Sequence, residues 1–135
     1  MERDEVIGKI EACYAARMAG DAVTLDRLCA DDARFEVVGA KTLIAAYPAA
    51  GPMAMRPAVE EIMKLVTMTA AEPLAMVVDG NSAAVRLRAT VAFADRAPFE
   101  TELCHLWEFD EAGQVRSVTE FLDTALLASE MAALQ

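Results

Sequence analysis

The chain is predicted to be an α+β domain, on three observations. Apolar residues in the first half recur at helical spacing, and from Pro73 onward that period falls from about four to two. The two-period runs are joined by short turns rich in Gly, Asp and Pro, which suits an antiparallel meander. Helices first and strands later is the α+β order.

Taken in order, Asp4 to Ala19 reads as a helix whose stripe is Val6, Ile7, Ile10, Cys13, Tyr14 and Met18. Gly20 stops it, and Asp21 caps a short second helix expected to bury Val23, Leu25, Leu28 and Cys29. Asp31 and Asp32 turn the chain into a strand from Arg34 to Val38, with Phe35 and Val37 on one face. The uncharged stretch after Lys41, broken by Pro48, Gly51 and Pro52, is a long loop of the kind that forms lids and rims; Tyr47, Met53 and Met55 are its candidates for a pocket rim. Pro57 opens a third helix with Val59, Ile62, Met63 and Val66 inward.

Leu74 to Val78 is the next strand, and Asp79-Gly80-Asn81 turns it. The following strand alternates plainly: Val85, Leu87, Ala89, Val91 and Phe93 on one face, Arg86, Arg88 and Thr90 on the other. After a turn at Arg96 to Pro98, Leu103, His105, Trp107 and Phe109 share a face opposite Cys104, Leu106 and Glu108. Val115 to Leu122 is the last strand, and Thr124 to Leu134 a short amphipathic helix capped by Asp123. No linker or repeat divides the sequence, so residues 1–135 are expected to form one domain.

Composition narrows the function. Of 135 residues, 22 are acidic and 12 basic, a net charge of −10, which argues against nucleic acid or an anionic membrane as partner. Hydrophobic residues make up 56%, too many for a disordered chain. Cys13, Cys29 and Cys104 are odd in number and scattered, as expected of reduced thiols in a cytoplasmic protein. One histidine and no paired cysteines make a metal site unexpected, and no glycine-rich turn is present for phosphates, so no cofactor is expected. Cys104 and His105 are strand neighbours and point to opposite faces, which excludes a nucleophilic pair from these two.

The segment AGDAVTLDRLCADDARFEVVG (Ala19 to Gly39) and the run CHLWEFDEAGQVRSVTEFLDT (Cys104 to Thr124) resemble the ketosteroid-isomerase-like and SnoaL-like superfamily, which has the nuclear-transport-factor-2-like fold. The resemblance implies a cone: three helices of the N-terminal half packed in a strongly curved, largely antiparallel sheet, with a short C-terminal helix and an open end for a small apolar molecule. It also implies a homodimer joined through the outer sheet face. Such a pocket would be lined by Tyr14, Phe35, Val37, Met63 and Leu87, and further by Leu103, Trp107, Val118 and Leu122.

Ketosteroid isomerase uses an aspartate base and an oxyanion hole of tyrosine and protonated aspartic acid. Carried onto this chain, the base falls at Val37, which takes no proton, the tyrosine at Cys13 with Tyr14 one residue off, and the acid at His105. Steroid isomerisation by that mechanism is therefore not expected. SnoaL-like cyclases and limonene-epoxide-hydrolase-like enzymes instead place an acid on the last strand, here Glu120, and the cyclases a histidine on the preceding one, here His105. Strand parity turns both inward, and a neutral-range imidazole beside a carboxylate suits cofactor-free proton transfer of isomerase, cyclase or dehydratase type. In that reading His105 is base or acid and Glu120 its partner. A non-catalytic ligand-binding or dimerisation module, its cone filled by Trp107, Phe35 and Met63, is the alternative. An epoxide-hydrolase-like enzyme is a third, and it needs Arg86 or Arg88 inside the cone.

Overall fold

The N-terminal stripe folds as α1 (Arg3–Ala19), with Val6, Ile10, Cys13, Tyr14 and Ala16 buried on one side. The structure is a computed structural model and describes residues 1–135. Gly20 closes the helix in the left-handed region at φ 69°, where a side chain would add strain, and its N–H returns to the Arg17 carbonyl. Asp21 then caps α2 (Ala22–Leu28), accepting from the Thr24 N–H at 3.0 Å. This helix buries less than expected. Val23 is 61% exposed, because it lies about 200° around the axis from Leu25. Leu25 and Leu28 are half-buried, and Cys29 is buried as the first residue of a strand.

That strand, β1 (Cys29–Val38), starts five residues before the expected Arg34. Asp31 and Asp32 do not turn the chain; they are exposed strand residues, spanned by a register shift between Cys29 and Arg34. The loop beyond holds one helical turn, α3 (Lys41–Ile44), and a two-residue strand, β2 (Met53–Ala54). Helix α4 (Met55–Leu65) begins two residues ahead of Pro57, which therefore sits in the first turn, where its missing N–H costs nothing. It buries Met55, Ala58 and Ile62 and leaves Val59 and Met63 half-buried, while Val66 opens the next strand.

Strand β3 (Val66–Asp79) is eight residues longer at its start than expected. Pro73 lies within it rather than before it, at a register shift and on the sheet edge, where no partner misses its N–H. Strands β4 (Ser82–Phe93), β5 (Phe99–Phe109) and β6 (Val115–Phe121) continue the antiparallel meander, and α5 (Thr124–Ala133) follows. The order is β2-β1-β6-β5-β4-β3, with β1 parallel to β6, a curved, unclosed mixed sheet. One face of β4 and β5 (Val85, Leu87, Ala89, Val91, Phe93; Leu103, His105, Trp107, Phe109) is buried as the alternation predicts. In α5 only Leu127 is buried, and Leu134, just beyond the helix, is 37% exposed. No helix is long and apolar enough to cross a membrane.

Candidate functional site

Four adjacent positions across the sheet build the centre of the site. His105 on β5 is in register with Val85 on β4 and with Glu120 on β6, and Glu120 is in register with Val37 on β1. Side-chain parity turns His105 and Glu120 to the buried face, where they are 6% and 8% exposed. They are the only buried polar or charged side chains. The imidazole Nε2 stands 2.8 Å from Glu120 Oε1, and Nδ1 stands 2.8 Å from the Tyr14 hydroxyl. With Glu120 as a carboxylate, Nε2–H donates to it, so Nδ1 accepts the Tyr14 O–H. The result is a three-membered chain, Tyr14–His105–Glu120, in which both ring nitrogens are used.

Burial sets the electrostatics. Removal from water, reinforced by the Glu120 charge, pushes the Tyr14 phenol well above its usual range. The Trp107 N–H leans toward that phenol and opposes the shift, but it closes no hydrogen bond: Nε1 is buried without any partner. The Tyr14 and Trp107 rings meet edge-on at 5.7 Å. Tyr47 is likewise pushed up, by burial and then by Glu120, with Arg17 acting against it. Arg17 is pushed down by desolvation, with Tyr47 and Glu120 opposing.

Two hollows flank Glu120. The larger, about 100 Å³, is lined by Cys13, Tyr14, Arg17, Leu25, Cys29, Phe35, Met55, Val59, Met68, His105, Trp107, Val118 and Glu120. The other, about 70 Å³, is lined by residues including Arg17, Tyr47, Met68, Phe93, Phe99, Leu103, Glu120, Leu122 and Leu127. Of the expected pocket residues, Tyr14, Phe35, Trp107 and Val118 border the first hollow, and Leu103 and Leu122 the second. Val37, Leu87 and Met63 border neither. Val37 and Leu87 are sealed in the core, at 2% and 0% exposure, and Met63 is half-buried on α4. Tyr47 is a wall of the smaller hollow rather than a rim residue, and Met53 lines neither.

Arg86 and Arg88 lie on the outer face. Arg86 pairs with Glu102 at 2.9 Å, and Arg88 stands 3.7 Å from Glu72 and 3.6 Å from Glu100. The epoxide-hydrolase-like reading needed one of them inside the cone, and neither is there. The arginine that does enter is Arg17, which the sequence analysis missed. Its signal was available: Val6, Ile10, Cys13, Tyr14 and Arg17 fall on one helical face, so a cation continues an apolar stripe. Asp123 caps α5, accepting from the Leu126 N–H at 3.1 Å. Cys13, Cys29 and Cys104 are all free thiols.

The SnoaL-like domain family matches residues 10–118. Among solved structures, an NTF2-like protein from Burkholderia xenovorans is 23% identical, with a TM-score of 0.76 over 96% of this chain and 98% of that one. An NTF2-like protein from Burkholderia pseudomallei is 16% identical, with a TM-score of 0.78 over 96% and 97%. An LEH-like epoxide hydrolase from M. tuberculosis is 16% identical, with a TM-score of 0.72 over 97% and 95%. No curated protein matches. These likenesses establish the cone fold and leave the chemistry to the side chains. With the family covering most of its length, the chain belongs to the SnoaL-like domain family.

Proposed function

We propose that the protein is a cofactor-free acid–base enzyme acting on a small, largely apolar carbonyl compound. One observation carries this reading: a buried Tyr14–His105–Glu120 chain stands beside an open hollow instead of being packed over. A structural histidine needs one or two partners but no cavity, so the hollow favours chemistry over the non-catalytic module. Because both nitrogens of His105 are engaged, His105 is a positioning residue rather than the direct base. Glu120 is the catalytic group: Oε1 is held by Nε2–H, and Oε2 is left to the ligand. Oε2 takes a proton from carbon next to the carbonyl, and the electron pair moves onto the ligand oxygen. Returning that proton to another carbon gives isomerisation, and giving it to a departing hydroxyl gives dehydration. The raised phenol of Tyr14 stays protonated and keeps the imidazole tautomer fixed.

The test is hydrogen–deuterium exchange in D₂O, followed by NMR over a panel of small enolisable ketones. The wild type is expected to accelerate exchange at the α-carbon of at least one, and Glu120→Gln to lose about 10²–10⁴-fold of that acceleration. Equal acceleration by Glu120→Gln would overturn the assignment.

We further propose that the outer sheet face joins two copies of the chain. Val38, Phe121 and Cys104 lie in register across β1, β6 and β5, and Leu106 sits beside them. Val38, Phe121 and Leu106 are each about 40% exposed, and together they make an apolar stripe on the outer face. The reading is also that of a cytoplasmic protein, in keeping with three unbridged thiols.

A further inference from the structure

Arg17 is an unusual cation. It lines both hollows, yet its one protein acceptor is the Val66 carbonyl, and no carboxylate stands within 4.0 Å. A guanidinium carries five N–H donors, so most of Arg17's are left without a protein acceptor. Placing a half-desolvated charge at an apolar cavity with only the more distant Glu120 to offset it is costly, and a ligand anion in direct contact would lower that cost. Trp107 is a second, independent sign: the residue lines the same larger hollow, and its indole N–H, which leans toward the Tyr14 phenol, is buried without a hydrogen-bond partner. Buried donors left unmet cost about 1–3 kcal/mol each, and a donor held in reserve for a ligand is one reason they persist.

We propose that Arg17 and Trp107 form an oxyanion subsite, and that the ligand of the larger hollow is an apolar monoanion, one ring in size, with its carboxylate or enolate-type oxygen on Arg17. This deepens the acid–base reading by naming the ligand class and rests on it only in taking the hollow as the ligand site. The other groups facing the subsite are Tyr14, Tyr47, His105, Glu120 and the thiols Cys13 and Cys29. Of these Glu120 alone brings negative charge, and it opposes the ligand. Arg17 and Glu120 therefore pull anion affinity in opposite directions.

The single tryptophan of the chain, Trp107, reports on the hollow directly. The experiment titrates benzoate, phenolate and the neutral isostere benzamide against intrinsic fluorescence. Benzoate is expected to bind about tenfold or more tighter than benzamide. Arg17→Gln should abolish that preference, Arg17→Lys should restore part of it, and Glu120→Gln should tighten benzoate severalfold. Circular dichroism checks that each variant is folded. Phenolate quenching without benzoate quenching would narrow the class to enolate-type oxygens, and the reverse would narrow it to carboxylates. Equal affinity for benzoate and benzamide, no saturable quenching by either anion, or a preference that survives Arg17→Gln would overturn the proposal. Failure of deuterium exchange with the benzoate preference intact would remove the proton-transfer reading and leave this subsite standing.

Discussion

Glu120 is a carboxylate held 8% exposed, and a burial of that kind is stable only with charge-assisted partners. His105 Nε2–H is one, and the positive field of Arg17 is another. Tyr14 completes the account by satisfying the second ring nitrogen, so of the polar atoms of the three only Glu120 Oε2 is without a protein partner. The thiols follow the opposite logic. Burial, joined by the neighbouring Cys29, pushes Cys13 up to about 12, and burial with Asp26 pushes Cys29 to about 11. Both therefore stay protonated near neutrality and react poorly. With Ellman-type reagent at pH 8, in a chain kept monomeric by Leu106→Glu so that the outer face is uncovered, Cys104, which is half-buried there, should react first, and the other two only at the rate of unfolding. Mass spectrometry of the modified native protein checks the order. The sign for stability is equally fixed: a thiol raised in the folded state favours folding fully below its ordinary value of about 9.0 and loses that contribution as pH climbs toward 11 and 12.

Elements position these groups through a few close contacts. The left-handed cap at Gly20 ends α1 one turn after Arg17, fixing how far that side chain reaches over the sheet. At the other end of the cone, α5 closes the smaller hollow with Leu126 and Leu127, and Arg96 on the β4–β5 turn grips Glu130 of α5 at 2.7 Å. Gly39 is where β1 passes α5: a Cβ there would meet the Thr124 methyl at 2.5 Å and the Ile44 side chain at 3.0 Å. Gly39→Ala should therefore push α5 and α3 outward and destabilise by about 1–3 kcal/mol, read as a fall in melting temperature. Gly8→Ala, where an added Cβ meets nothing, is the control and should be neutral or slightly stabilising.

At the scale of the molecule, the curved sheet has two unlike faces. The concave face holds the core and the triad, while the convex one combines ion pairs of Arg86 and Arg88 with the Val38–Phe121–Cys104 row and Leu106. Leu106→Glu would place a charge in the centre of the proposed contact without touching the core. It is expected to convert a dimer into a monomer in light scattering, with circular dichroism unchanged. A wild-type monomer at micromolar concentration would remove the dimer.

The fold and the inward pair were legible in the chain because both are matters of period. Alternation by two fixes which side of a strand His105, Trp107 and Glu120 occupy, and helical spacing fixes the buried stripe of α1, whatever the rest of the molecule does. The early start of β3 was harder to read. Val66, Met68 and the threonines between and after them also alternate, but the helix before them and Pro73 after them masked the change of period. Distances between elements were not legible at all. That Arg86 and Arg88 stay outside follows from the same alternation, but that Tyr14 reaches Nδ1, that Arg17 enters the hollows, and that Val37 and Leu87 are sealed away depend on how far the sheet curves and where α1 lies across it. Such long-range geometry is the sum of many small twists and packing contacts, and no local pattern of residues encodes it.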